Sequence, residues 1–132
     1  MSGSRPPVTG QGDNRGAKAY LTPMQNFIDL EGASGTTYRF QRVDDIARLP
    51  AIAGNFVYVQ SDGPKPVVVC CGVCETLLRA GETWPAAQQD HGAKAIYVRK
   101  NVSWKVRETE HNDILGRHRP ALVISAEFDR QS

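Results

Sequence analysis

The stretch "GNFVYVQSDGPKPVVVCCGV", residues 54–73, decides the fold. "GNFVYVQ" has the β-branched and aromatic content of a strand, and "SDGPKP" is a turn by composition. "VVVCCGV" is apolar on both faces, which marks a strand inside a sheet rather than at its rim. Joined by so short a connection, the two predict an antiparallel hairpin. The second strand opens into the cysteines of the chain, since all three (Cys70, Cys71 and Cys74) fall within residues 70–74. Strand alternation sends Cys70 and Cys71 to opposite faces.

Upstream, "TTYRFQRV" (36–43) alternates, with Tyr38 and Phe40 on one face and Arg39 and Gln41 on the other, and predicts another strand. "VDDIARLP" (43–50) has an acidic start and stops at Pro50, as a short helix or turn does. "AYLTPMQNFIDLEGASG" (19–35) is cut by Pro23 and two glycines, and predicts a loosely docked arm or a short helix around Met24–Leu30. Residues 1–19 are rich in Gly, Pro, Ser and Asn without apolar periodicity, the composition of a flexible tail. The expected organisation is a flexible N-terminal arm over 1–35 and a single domain over 36–132, whose sheet carries an additional N-terminal strand or arm.

Downstream, "CETLLRAGE" (74–82) and "WPAAQQDHG" (84–92) each predict a short helix, the second with Pro85 in its first turn and Gly92 as its C-terminal cap. "AKAIYVRKN" (93–101) predicts a strand. "SWKVRETEHNDILGRHRP" (103–120) predicts the longest helix, with Ser103 as N-cap and Trp104, Val106, Ile114 and Leu115 as its apolar positions, ending by Pro120. "ALVISAEF" (121–128) predicts a last strand or an extended tail. The order of elements is that of an α+β domain.

The 132 residues suit one domain, and a hydrophobic fraction of 40% with 23% charged residues suits an ordinary globular chain. A net charge of +2 argues for neither nucleic acid nor a lipid surface. No apolar run approaches the roughly 20 residues of a membrane helix, so no membrane association is expected. "MSGSRPPVTGQGDNRG" has no apolar core and does not read as a secretory signal. Three cysteines cannot all pair within one chain, which favours a reduced, cytoplasmic setting.

From about residue 50 to 123 the chain resembles the GIY-YIG nuclease superfamily. "GNF" (54–56) stands where that family has its first tripeptide and "CCG" (70–72) where it has its second. "HGAKAIYVR" and "HNDILGRHRP" look like its third strand and later helix. The resemblance implies a small three-stranded antiparallel sheet flanked by helices, and a phosphodiesterase site that uses Mg2+ or Mn2+. It places that site at Phe56, Cys70, Ala80, His111 and Val123, where the family carries two tyrosines, an arginine, a metal-binding glutamate and an asparagine. Each of the five is changed here. Phe56 lacks a hydroxyl, and Tyr58, Arg79 and Glu110 are the nearby substitutes. The resemblance therefore implies a degenerate member that has lost nuclease activity and binds nucleic acid or a protein partner. A divergent metal-dependent endonuclease is the alternative.

Two newer chemistries compete with a packed core. The family's fold would gather Cys70, Cys74 and His111, with His91 as a further candidate, into a zinc site, although a single C-x-x-C is weak support. Cys74 at the start of a helix would favour a thiolate, with His111 as base. The bland alternative treats all three thiols as small hydrophobes. Arg99, Lys100, Lys105, Arg107, Arg117 and Arg119, with Lys94 and Trp104 nearby, are the candidate surface for DNA or RNA, diluted by Glu108, Glu110 and Asp113. A dipole-matched helix end explains His118 as well as phosphate contact would.

Overall fold

The computed structural model describes residues 25–61 and 65–124. Its strands are β1 (Phe27–Glu31), β2 (Thr37–Val43), β3 (Gly54–Ser61), β4 (Val67–Cys74), β5 (Ala95–Lys100) and β6 (Leu122–Ile124). Its helices are α1 (Trp84–His91) and α2 (Trp104–His118), with short 3-10 turns at Ile46–Arg48 and Leu77–Arg79. The strands form one six-stranded mixed sheet in the order β1-β2-β5-β3-β4-β6. All neighbours are antiparallel except β4 and β6, which run parallel. The α+β class stands, but the sheet is larger than the expected three strands, because β1 and β2 extend one side and β6 the other.

The expected hairpin is present. Gly54 faces Cys74, Phe56 faces Gly72 and Tyr58 faces Cys70. A register shift follows, with Val59 opposite Val68, so that Val69 is the extra residue of a bulge. This bulge explains why Val69 and Cys70, though consecutive, join the same cluster, whereas Val68 and Cys71 join the other. Both faces of β4 are covered, as its continuous apolar run requires.

One face lies under α1 and the 3-10 turns, and holds Phe56, Tyr58, Cys70, Cys74, Leu77, Ala80, Ala87 and Ile96. The other lies under α2, and holds Ile28, Leu30, Phe40, Val57, Cys71, Tyr97 and Ile114. α2 packs on β4, and the β1–β2 turn also reaches it, where Ala33 N–H donates to the Asp113 carbonyl at 2.9 Å. β1 and β4 are four strand spacings apart, about 19 Å in a flat sheet. A helix is only about 10–12 Å wide. The sheet must therefore curl around α2.

Asp113 closes that curl. Its carboxylate accepts from Ser34 N–H (2.8 Å), the Ser34 hydroxyl (2.6 Å) and the Tyr38 hydroxyl (2.7 Å). These donors hold its pKa below the usual carboxylate range, Ser34 first and Tyr38 next. Gly32 leaves the room this needs, since a Cβ there would lie 2.1 Å from Asp113 Oδ2.

Several local expectations are corrected. Residues 27–31, assigned to the arm, form β1 and not a helix: Ile28 and Leu30 point inward while Phe27, Asp29 and Glu31 stay exposed. The part of the arm before residue 25 lies outside the described residues, as do residues 62–64 and the chain after 124. "CETLLRAGE" yields only the Leu77–Arg79 turn, capped by Thr76 and tied to the preceding loop by Leu77 N–H donating to the Ile52 carbonyl at 2.7 Å. α1 and α2 fall where expected: Gly92 caps α1 at φ 68°, and the Ser103 hydroxyl accepts from Val106 N–H at 3.4 Å. The buried stripe of α2, however, is Arg107, His111 and Ile114, while Trp104 and Val106 are 42% and 44% exposed. No helix among the described residues is long and apolar enough to cross a membrane.

Candidate functional site

β3, β4 and the segment after Thr76 bring Phe56, Cys70 and Ala80 together as the resemblance implies, but into a filled interior. Phe56 is 2% exposed, and Cys70 and Ala80 are 0% exposed. The Phe56 ring lies over Gly72, where an added Cβ would sit 2.3 Å from the ring's Cζ. Tyr58, the proposed substitute for the first tyrosine, is on the same face but fully buried, and its hydroxyl donates to the Ala80 carbonyl. Its ring packs 5.5 Å from Phe56 and edge-on to Trp84 at 5.1 Å. Burial raises the pKa of this phenol well above its ordinary value. A phenol held this way cannot supply an ionised oxygen at neutral pH.

The thiols share this environment. None forms a disulfide and all three are buried. Burial pushes Cys70 up to about 12 and raises Cys71 further, the neighbouring Cys70 adding to the effect. Cys74 is the last residue of β4, not the first of a helix, and only a three-residue 3-10 turn follows. The helix dipole invoked to favour its thiolate is missing at that place.

His111 is across the sheet from Cys70 and Cys74. It belongs to the buried stripe of α2, whose Ile114 packs with Cys71 and Val57, whereas Cys70 and Cys74 pack beneath α1. The expected gathering of Cys70, Cys74 and His111 does not occur, because the strand that carries the thiols intervenes. Among the described residues no group of three or more His, Cys, Asp or Glu side chains is placed to hold a metal ion. Burial pushes the His111 imidazole down to about 4, so the ring is neutral at pH 7. His91 ends α1, half-buried.

The remaining substitutes are committed elsewhere. Arg79 lies on the surface and pairs with Glu82 at 3.2 Å. Glu110 Oε1 accepts from Arg99 Nε (2.8 Å) and Asn101 Nδ2 (2.9 Å). Asn101 Nδ2 also reaches Asn55 Oδ1 (3.0 Å), and Asn55 Nδ2 donates to the Arg107 carbonyl (3.0 Å). Arg107 is 3% exposed, its guanidinium donating to the Val102 carbonyl at 2.8 Å and the Asn101 carbonyl at 3.3 Å. This polar network fastens the first half of α2 to β3 and β5. Sequence reasoning missed it, and the available signal was Asn55, an amide in an otherwise apolar strand. Val123 is 49% exposed on β6, opposite Cys71.

The candidate nucleic-acid surface is dispersed. Arg99 and Arg107 are used in the network just described. Arg117 pairs with Glu31 at 3.5 Å, and the adjacent His118 Nε2–H donates to the Glu31 carbonyl at 2.9 Å. Burial, more than any other cause, lowers the His118 pKa. Arg119 caps α2 in the left-handed conformation at φ 45°. Lys105 and Arg117 lie near opposite ends of α2, about 18 Å apart along its axis. No family model, curated protein or solved structure matches the chain.

Proposed function

We propose that the chain is a non-catalytic binding domain on a GIY-YIG-like frame, and that its partner is a protein. The observation that carries this is the packing of Phe56, Cys70 and Ala80 beneath Tyr58 and Trp84. The positions that would hold phosphate and stabilise developing charge are apolar, buried and without space for a substrate. The run of hairpin, helix, strand and helix from β3 to α2 supports the frame. Protein is favoured over nucleic acid because, of the six candidate basic residues, Arg107 is buried, Arg99 pairs with Glu110 and Arg117 pairs with Glu31.

Incubation of the purified chain with supercoiled plasmid and Mg2+ or Mn2+ tests the proposal. The plasmid should remain supercoiled, with wild type and Glu110→Ala alike. Metal-dependent nicking that disappears in Glu110→Ala would overturn it in favour of a divergent endonuclease.

A further inference from the structure

On their face α1 and the 3-10 turns cover β3, β4 and the Ile96 and Val98 side chains of β5, and β1 and β2 are left open beside them. Three hollows lie along this open part. The central one, about 310 Å³, is lined by residues including Gln41, Val43, Arg48, Val98 and Lys100. A second of about 290 Å³ shares Gln41, Val98 and Lys100 with it and extends to Phe27 and Arg39. A third of about 250 Å³ shares Arg42, Val43, Asp44 and Asp45 and extends to Trp84 and Lys94. Shared walls make them one continuous trough.

Its charge is unbalanced. Arg39 pairs with Asp29, Arg42 with Asp44 and Arg99 with Glu110. Asp45, which accepts from Ala47 N–H at 2.9 Å, keeps its charge and is the one lining carboxylate without an ion pair among the described residues. Arg48, Lys94 and Lys100 line the trough and have no ion pair among the described residues. Phe27, 46% exposed at one end, and Val43 in the middle supply apolar footing between these cations.

We infer that this trough receives an extended acidic segment of a partner protein, with apolar side chains on Phe27 and Val43 and carboxylates on Arg48 and Lys100. The inference rests on the binding reading above and names the chemistry of the partner. A strand-like segment fits because the trough runs along the β2–β5 pair, from Arg39 and Lys100 to Val43 and Ile96, about 13 Å, which about five extended residues span. Asp45, which has no ion pair among the described residues, would repel a continuous phosphate backbone at this point of the trough, whereas a peptide can place an apolar residue there.

The test uses the full chain and a fluorescein-labelled peptide of about ten residues alternating Val and Glu, read by fluorescence anisotropy. The same peptide with Lys for Glu and a short DNA duplex are run beside it. The acidic peptide should bind, weaken as salt is raised, and bind at least about tenfold more weakly to an Arg48→Glu, Lys100→Glu double variant of unchanged melting temperature. The inference is overturned if the acidic peptide does not bind, binds the double variant equally, or is matched by its lysine counterpart. Duplex binding lost in the double variant would overturn it in favour of nucleic acid. Plasmid nicking reports separately on the binding reading, so the two failures are distinguishable.

Discussion

Acidification should destabilise this protein through His111 before its carboxylates titrate. The ring is 4% exposed on the inner stripe of α2, and burial pushes it from an ordinary 6.5 down to about 4. Below the unfolded value, the unfolded chain takes up a proton that the folded chain refuses. Stability is therefore present above pH 6.5 and is lost as pH falls towards 4. The interval is worth about 3 kcal/mol in full, of which about 2 kcal/mol is lost between pH 7 and pH 5. His118, also lowered by burial, acts in the same direction. Asp29 and Asp113 are lowered by their hydrogen-bond donors, so their contributions are lost only near and below the ordinary carboxylate range. Urea unfolding followed by circular dichroism at pH 7, 6 and 5 measures the loss in wild type and in His111→Leu. The variant should lose distinctly less over that interval, whatever its stability at pH 7. Parallel pH profiles for the two proteins would refute the reasoning, because they would mean that the folded state protonates His111 as freely as the unfolded one does.

Two further substitutions probe the packing. Gly32→Ala should lower the melting temperature and abolish the added benefit of Asp113, because its Cβ meets the carboxylate that Ser34 and Tyr38 hold in place. In a thermal-denaturation cycle with Asp113→Asn, the double variant should then be little worse than the worse single one. Gly72→Ala should cost about 1–3 kcal/mol in urea unfolding, because the Phe56 ring already occupies the added methyl group's place and is too closely packed to move aside. A neutral result at Gly72 would mean that the Phe56 ring is loosely seated.

The hairpin was legible because β4 has apolar residues on both faces and a Pro- and Gly-containing stretch precedes it. α2 was legible at its ends, where Ser103 caps and Pro120 stops it, but not on its inner face. Periodicity arguments look for apolar stripes, and this helix buries two polar side chains: His111, and Arg107, whose guanidinium donates to the Asn101 and Val102 carbonyls and whose own carbonyl accepts from the distant Asn55. β1 escaped notice because its alternation lasts five residues and its exposed face mixes Phe27 with two acids. At the candidate site, the replacements at Phe56, Cys70, Ala80 and His111 could be read residue by residue. Their surroundings could not. The side of the sheet that α2 covers, and hence the separation of His111 from Cys70 and Cys74, depends on how the sheet curls, and no local pattern encodes that.

The face carrying Phe56, Cys70 and Ala80 is closed, packed core. Reaction of the native chain with Ellman's reagent, without and then with denaturant, measures this most directly, because Cys70 and Cys74 lie within that face and Cys71 behind it. The native protein should show no labelling faster than global unfolding, and all three thiols should react once it is denatured. Rapid native-state labelling of Cys70 or Cys74 would contradict it, since a reagent that reaches either thiol finds an open cleft where the structure has a filled interior.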